Sequence, residues 1–272
     1  MNELGPYERN SIYVGASETM MQELPDGCID LTVTSPPYDN LRSYNGFVLD
    51  WHKVIEQLYR VSKPGGVVVW VVADATVNGS ETGTSFRQAL WAMECGFRLH
   101  DTMIYAKDGA PPLNHNRYEQ EWEYVFVFSK SSPKTFNPIT ERSRNAGVRD
   151  SGTRRNSGKD ALGQKHGAGR VCAPKKVKGN VWRYGVGYRK TTSDKHAYDH
   201  PAIFPEALAC DHIISWSNPG DLVLDPFMGS GTVAKMAMQN GRDYLGFDIS
   251  EEYVELAKKR VAWSNPPLLV AS

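Results

Sequence analysis

The chain has 272 residues, 40% of them hydrophobic and 11% aromatic, enough to bury a sizeable core as one large α/β domain with an insertion. No apolar run reaches the roughly 18 residues of a membrane span, the polar start Met1-Asn2-Glu3-Leu4-Gly5-Pro6 is no signal peptide, and Cys28, Cys95, Cys172 and Cys210 lack Cys-x-x-Cys spacing, which argues for a reducing cytoplasm and against a disulfide framework or a zinc site. Net charge is zero, yet residues 131–195 hold 16 Lys and Arg against 4 Asp and Glu, so a neutral total hides one basic segment on an acidic body.

Taken in chain order, the first clear element is Ile29–Thr34, a strand with apolar alternation behind the turn Pro25-Asp26-Gly27. It ends in Ser35-Pro36-Pro37-Tyr38. Two consecutive prolines cannot donate to a sheet ladder, so the strand must stop there and leave a rigid tip. The tip is either an ordinary loop or a site: the serine hydroxyl and proline carbonyls can accept hydrogen bonds from an NH₂ group, and the tyrosine ring can stack on a planar base.

Asp50 caps a helix carrying Trp51, Val54, Ile55, Leu58 and Val61, and Lys63-Pro64-Gly65-Gly66 is expected to stop it before the strand Val67–Val72. A second helix with an apolar set of Phe86, Ala89, Leu90 and Met93 ends at Gly96, and strands follow at Phe97–Tyr105 and Trp122–Phe128. This alternation predicts a mostly parallel sheet. Asp74 reads as a loop cap rather than a site residue, and Asn114-His115-Asn116-Arg117-Tyr118-Glu119 as either a DNA-touching or a solvated loop.

The segment 131–195 has few large apolar side chains, seven glycines between 141 and 180, and the basic residues Arg142, Arg144, Arg149, Arg154, Arg155, Lys175, Lys176 and Arg183. Such a stretch cannot bury a core of its own and is expected to gain order from a polyanion. Trp182, Tyr184 and Tyr188 alternate with Arg183 and Arg189, which allows either base stacking or anchoring of the insert to the core. The expected division is therefore 1–130, a basic insert at 131–195, and 196–272.

Pro205 introduces a helix over about Glu206–Trp216. His196 and His200 lie four apart, but no third ligand is near and Pro201 ends helical spacing, so no metal is expected. After the turn Ser217-Asn218-Pro219-Gly220, the strand Leu222–Leu224 runs into Asp225-Pro226-Phe227-Met228-Gly229-Ser230-Gly231-Thr232 and then a helix. That is a nucleotide-binding βα unit: the glycines allow close backbone approach, and the helix start offers amides to negative groups. Asp248 ends the next strand, Tyr244–Phe247, where a carboxylate takes ribose hydroxyls. Gly229-x-Gly231-x-x-Ala234 also fits the dinucleotide fingerprint. So little chain follows the motif that the remaining strands must come from the N-terminal part, in a permuted order. Asn265-Pro266-Pro267-Leu268 mimics the tip but lacks the aromatic and follows no strand.

Together, Ser35-Pro36-Pro37-Tyr38 and the Asp225–Thr232 stretch resemble the S-adenosylmethionine-dependent DNA methyltransferases that modify exocyclic amino groups, in the permuted β group. The resemblance implies a Rossmann-like doubly wound, mostly parallel sheet with permuted motif order, S-adenosyl-L-methionine as cofactor and double-stranded DNA as partner; dimers recur in that group, but the sequence leaves monomer and homodimer both open. It implies that Ser35 and the Pro36 carbonyl accept from the target amino group on the Pro36-Pro37 tip while Tyr38 stacks on the base. It further implies that Asp225 faces the methionine ammonium, that Pro226, Phe227, Gly229, Ser230, Gly231 and Thr232 form the turn beside it, that Asp248 holds the ribose, and that His200, Pro201 and Phe204 help form the pocket. The insert takes the place of the family's target-recognition region, where arginine forks can read guanine. A leading serine is commoner among cytosine-N4 enzymes, whereas the permuted order is more often that of adenine-N6 enzymes; adenine N6 is the base favoured, with cytosine N4 the alternative. A nicotinamide-dependent oxidoreductase would explain the glycine turn and Asp248 but not the proline tip. A DNA-binding protein without catalysis would explain the insert but not the intact tetrapeptide.

Overall fold

The computed structural model describes residues 4–37, 49–109, 117–149, 171–187, 190–192, 194, 197, 203 and 205–264. Two compact units emerge: Met1–Asn137 with Asn180–Ser272, and Pro138–Gly179.

The first unit is built on a sheet whose strands are β1 (Ser11–Val14), β2 (Ile29–Thr34), β3 (Ser62–Val72), β6 (Arg98–Asp108), β7 (Trp122–Ser129), β10 (Val181–Gly185), β11 (Leu222–Asp225) and β12 (Asp243–Asp248). A short hairpin, β4 (Thr76–Val77) and β5 (Ser80–Glu81), follows β3, and β8 (Thr140–Arg142) with β9 (Lys175–Val177) belong to the second unit. The helices are α1 (Ser17–Met20), α2 (Trp51–Val61), α3 (Thr84–Glu94), α4 (Glu206–Trp216), α5 (Thr232–Gln239) and α6 (Glu251–Ser264). Sheet order is β1-β12-β11-β2-β3-β7-β6-β10. Only β7 runs antiparallel to its neighbours in it. This is the doubly wound, mostly parallel sheet expected.

The permutation shows in the centre, where late β11 lies beside early β2, with Val223 opposite Leu31 and Leu224 opposite Thr32. Strands covered on both faces read as continuous apolar runs, and Val67–Val72 and Leu222–Leu224 are buried throughout. Trp70, fully buried, has its one polar atom satisfied: Nε1 donates to Gln88 Oε1 at 2.9 Å.

Local chemistry explains where elements begin. Asp50 accepts from the Lys53 amide at 3.3 Å and so caps α2 as expected. The helix ends at Val61, before Lys63–Gly66 is reached, and the strand already starts at Ser62. The register instead jumps from Ile29 opposite Ser62 to Leu31 opposite Val67, an irregularity in which Pro64 has no ladder donor to lose.

Helix α3 corrects the predicted packing. Phe86, Leu90 and Met93 are exposed, and the buried face is Ser85, Gln88, Ala89 and Ala92. Small side chains on that face let the helix sit close to the sheet, and Gln88 is held there by Trp70. Asp74 is a cap, as read: its carboxylate accepts from the Ser85 amide at 2.9 Å and from the Thr82 hydroxyl at 3.2 Å.

Trp182 and Tyr184 are buried on β10, which pairs with β6, so the aromatic-basic alternation of this stretch is the alternation of an edge strand. The second compact unit, Pro138–Gly179, lies within the 131–195 segment. In the second unit β8 and β9 pair antiparallel, Arg142 opposite Lys175 and Glu141 opposite Lys176, and all six strand residues are exposed.

Candidate active site at the carboxyl edge of the sheet

Because β2 and β11 are parallel neighbours, their carboxyl ends arrive side by side. Thr34, the last residue of β2, donates its hydroxyl to Asp225 Oδ1 at 2.6 Å. Ser35, Pro36 and Pro37 follow at once, with Pro36 buried and its neighbours half-buried. Tyr38 lies outside the described residues. The proline tip and the Asp225 turn, far apart in sequence, are thus one hydrogen bond apart.

The turn itself is tightly determined. Asp225 Oδ1 also accepts from the Phe227 amide at 3.0 Å, while Oδ2 has no partner among the described residues. Gly229 and Gly231 have φ of 50° and 79°, the left-handed region that glycine enters without a Cβ penalty. A Cβ on Gly231 would also lie 2.8 Å from Ala257 Cβ and 2.9 Å from its Cα, so α6 is packed against bare backbone here. Pro226, Ser230 and Thr232 are buried and Phe227 is half-buried, edge-on to Trp70 with ring centroids 6.2 Å apart.

Asp248 closes the other side, its Oδ2 accepting from the Gly229 amide at 2.8 Å and its Oδ1 from the Ser250 amide at 2.9 Å. It therefore holds the turn as well as ending β12. Burial pushes the Asp225 carboxyl up to about 7, against the lowering pull of Thr34 and the Phe227 amide, and nearby Asp248 adds to the rise. Burial also raises Asp248, opposed by its two amide donors.

Sequence reasoning missed a cluster behind the turn. Arg260 of α6 and Lys235 of α5, 1% and 7% exposed, share the carboxylates of Asp194 and Glu206. The signal was present only as ordinary helix charges. His200, Pro201 and Phe204 lie outside the described residues. Of the basic candidates, Arg142, Arg144, Arg149, Lys175 and Lys176 are all exposed in the second unit, where Lys176 pairs with Glu141 at 2.9 Å. Arg183 points outward from β10, 3.5 Å from Asp108. Arg154 and Arg155 lie outside the described residues. No cluster of three or more metal-ligating side chains and no helix long and apolar enough to cross a membrane occurs among the described residues.

A family model described as DNA methylase, of the N6/N4 type, matches residues 29–259. The chain belongs to this DNA methylase family. The methylase is 52% identical over 245 residues to the orphan methyltransferase M.BamHII of Bacillus amyloliquefaciens, covering 89% of this chain and 92% of that protein. Its fold matches that of the DNA modification methylase TTHA0409 of Thermus thermophilus in complex with S-adenosyl-L-methionine, with a TM-score of 0.64 at 24% identity over 94% of this chain and 95% of the other. It also matches the cytosine-N4-specific PvuII DNA methyltransferase, with a TM-score of 0.67 at 20% identity over 94% and 91%. The chain is thus a DNA methylase by family, with the fold of these two methyltransferases.

Proposed function

We propose that the methylase transfers the methyl group to the exocyclic amino nitrogen of a base flipped out of double-stranded DNA at a specific site, in the cytoplasm, with the Ser35 tip as its catalytic element. The observation that carries this is the 2.6 Å bond from Thr34 to Asp225, since it sets the acceptors for an amino group beside the turn that suits the cofactor.

The residues fit that cofactor. Asp225 offers a buried carboxylate whose second oxygen has no partner among the described residues, suited to the methionine ammonium. Asp248 retains acceptor capacity for a ribose diol beside its two amide bonds. When bound, S-adenosyl-L-methionine supplies a methyl carbon activated by its sulfonium. An aromatic amine is a poor nucleophile because its lone pair is delocalised into the ring. Ser35 Oγ and the Pro36 carbonyl, by accepting its two N–H groups, favour the pyramidal nitrogen and stabilise the positive charge that grows on it. Held this way, the nitrogen lone pair would be aimed in line at that methyl carbon, and the proton it must lose after transfer would pass to water. Tyr38 holds the base by stacking. His200, Pro201 and Phe204 complete the cofactor pocket in this reading.

Residues 1–130 then form the catalytic half, 196–272 the cofactor half, and the second unit with its flanks the target-recognition region. Arg142, Arg144, Arg149, Arg154, Arg155, Lys175, Lys176 and Arg183 are its DNA contacts. A homodimer belongs to the same reading; the exposed Phe86, Leu90 and Met93 of α3 offer it a face, and sedimentation equilibrium tests it.

Two target bases are supported by different features. The permuted order favours adenine N6, and Ser35 at the head of the tetrapeptide favours cytosine N4. Mass spectrometry of nucleosides from DNA of cells expressing the protein decides: N6-methyladenine supports the first, N4-methylcytosine the second, and neither would refute the amino-group reading.

A further inference from the structure

Arg260 distributes its donors over two separate segments of the site while staying out of solvent. Nη1 donates to the Ser230 carbonyl at 3.0 Å, to Ser230 Oγ at 3.1 Å and to Thr232 Oγ1 at 2.8 Å. Those atoms belong to the turn between Gly229 and the start of α5. Nη2 donates to Glu206 Oε1 at 2.5 Å and to Thr192 Oγ1 at 3.2 Å, and Nε to Asp194 Oδ2 at 2.9 Å. Lys235 donates to the same two carboxylates, at 2.6 Å to Asp194 and 2.7 Å to Glu206. Asp194 and Glu206 are the two ends of the segment that carries His200, Pro201 and Phe204.

Burying two cations and two carboxylates costs desolvation that mutual attraction barely offsets, so such a cluster is weak evidence for stability as such. Its geometry is more informative than its energy. The planar guanidinium fork is the group that can hold a carbonyl and two hydroxyls on one side and two carboxylates on the other. Ala257, one helical turn earlier on α6, packs against Gly231, so the same helix supports the turn by contact and by hydrogen bonds. Burial works to raise Asp194, but the bonds from Lys235 and Arg260 prevail and hold it below the usual carboxylate range.

We infer that Arg260, assisted by Lys235, is the positioning residue of the cofactor site: it fixes the Ser230 peptide in the glycine turn and ties both ends of the Asp194–Glu206 segment to it. This rests on the reading that the turn and Asp248 hold S-adenosyl-L-methionine. Arg260 touches no reacting atom in that reading and acts through Ser230 and Thr232.

Arg260→Lys tests it, because lysine keeps the charge near Asp194 and Glu206 but has no fork to span to Ser230. Steady-state kinetics with each substrate varied, together with calorimetric binding of S-adenosyl-L-methionine, are the readouts. The expected result is an increase of about tenfold in the cofactor's Kd and KM, the scale of a lost charged hydrogen bond, with kcat and the KM for DNA within about twofold. A lowered melting temperature with cofactor affinity unchanged would make the cluster structural only and overturn the inference. So would a fall in kcat with KM unaltered. Should Arg260→Lys not fold, Asp194→Asn, at a side chain 29% exposed, must raise the cofactor's Kd, or the inference fails. Asp248→Ala measured in parallel separates the two levels: weakened binding there with none in Arg260→Lys removes only the positioning role, and native binding in both removes the cofactor reading itself.

Discussion

Around Asp225–Thr232 every residue but the half-buried Phe227 is buried, two glycines sit in the left-handed region, and Thr34, Arg260 and backbone amides hold its polar atoms from several sides. Across β8 and β9 every strand residue faces solvent, and basic side chains meet across the ladder, Arg142 opposite Lys175. The first region has its geometry set by the protein alone, as transfer to a weak nucleophile requires. The second has little apolar surface to set its own, and its charge suits a partner that supplies the order.

The comparison is broken most severely by a side chain in the first region. Gly231→Ala puts a Cβ 2.8 Å from Ala257 Cβ at a φ of 79°, combining overpacking with a strained backbone, and should lower stability by about 3 kcal/mol. Thermal or denaturant unfolding checks this; a native melting temperature would mean that α6 yields freely.

Asp248→Ala should weaken S-adenosyl-L-methionine binding by about 1.5 to 3 kcal/mol through loss of charge-assisted acceptors. Because Gly229 and Ser250 lose an acceptor too, the cofactor-free protein should also melt earlier. Calorimetry showing native affinity would place the ribose elsewhere.

A pH series sharpens the picture of Asp225. Its folded carboxyl, at about 7, keeps a proton that a carboxyl at its ordinary 3.8 has released. The cofactor-free protein therefore loses stability as pH rises between those values, since the unfolded chain ionises first. An ammonium selects the ionised form, so cofactor affinity should rise up to tenfold per pH unit as pH climbs towards 7, and decline above about 8 as the ammonium itself loses its proton. Asp225→Asn should flatten the rise below 7, and a wild-type profile with no slope there would remove the ammonium contact.

The smallest effect belongs to the second unit. Replacing Lys175 and Lys176 with alanine should make the slope of log K for DNA against log salt shallower by about 0.9 for each phosphate no longer neutralised, leaving cofactor affinity untouched. Arginines that read bases would instead lose discrimination between target and non-target duplexes. An unchanged slope would show β9 to be a solvated face.

What could be read from the sequence follows the same divide. Ile29–Thr34 and Glu206–Trp216 stand at the bounds their patterns predict, because prolines, turn residues and apolar runs act locally. The positions of Ser35, Asp225 and Asp248 at strand ends were legible for the same reason. The Thr34–Asp225 bond and the Arg260 cluster were not, since their partners lie far apart in the chain and lysine and arginine on a helix ordinarily face water. Strand β10 was read within the basic insert because alternating aromatic and basic residues describe an edge strand and a nucleic-acid surface equally well. On α3 the larger apolar side chains were taken for the core face, whereas Ala89 and Ala92 are the ones that approach the sheet.

The central claim is that the proline tip does the chemistry beside a cofactor site that stands without it. Single-turnover methyl transfer by Ser35→Ala, measured alongside calorimetric binding of S-adenosyl-L-methionine, tests it most directly. The account predicts a transfer rate lower by about a hundredfold or more, the scale of a lost transition-state acceptor, with cofactor affinity within about twofold of the native protein. Transfer at the native rate, or a loss explained wholly by weaker cofactor binding, would contradict it.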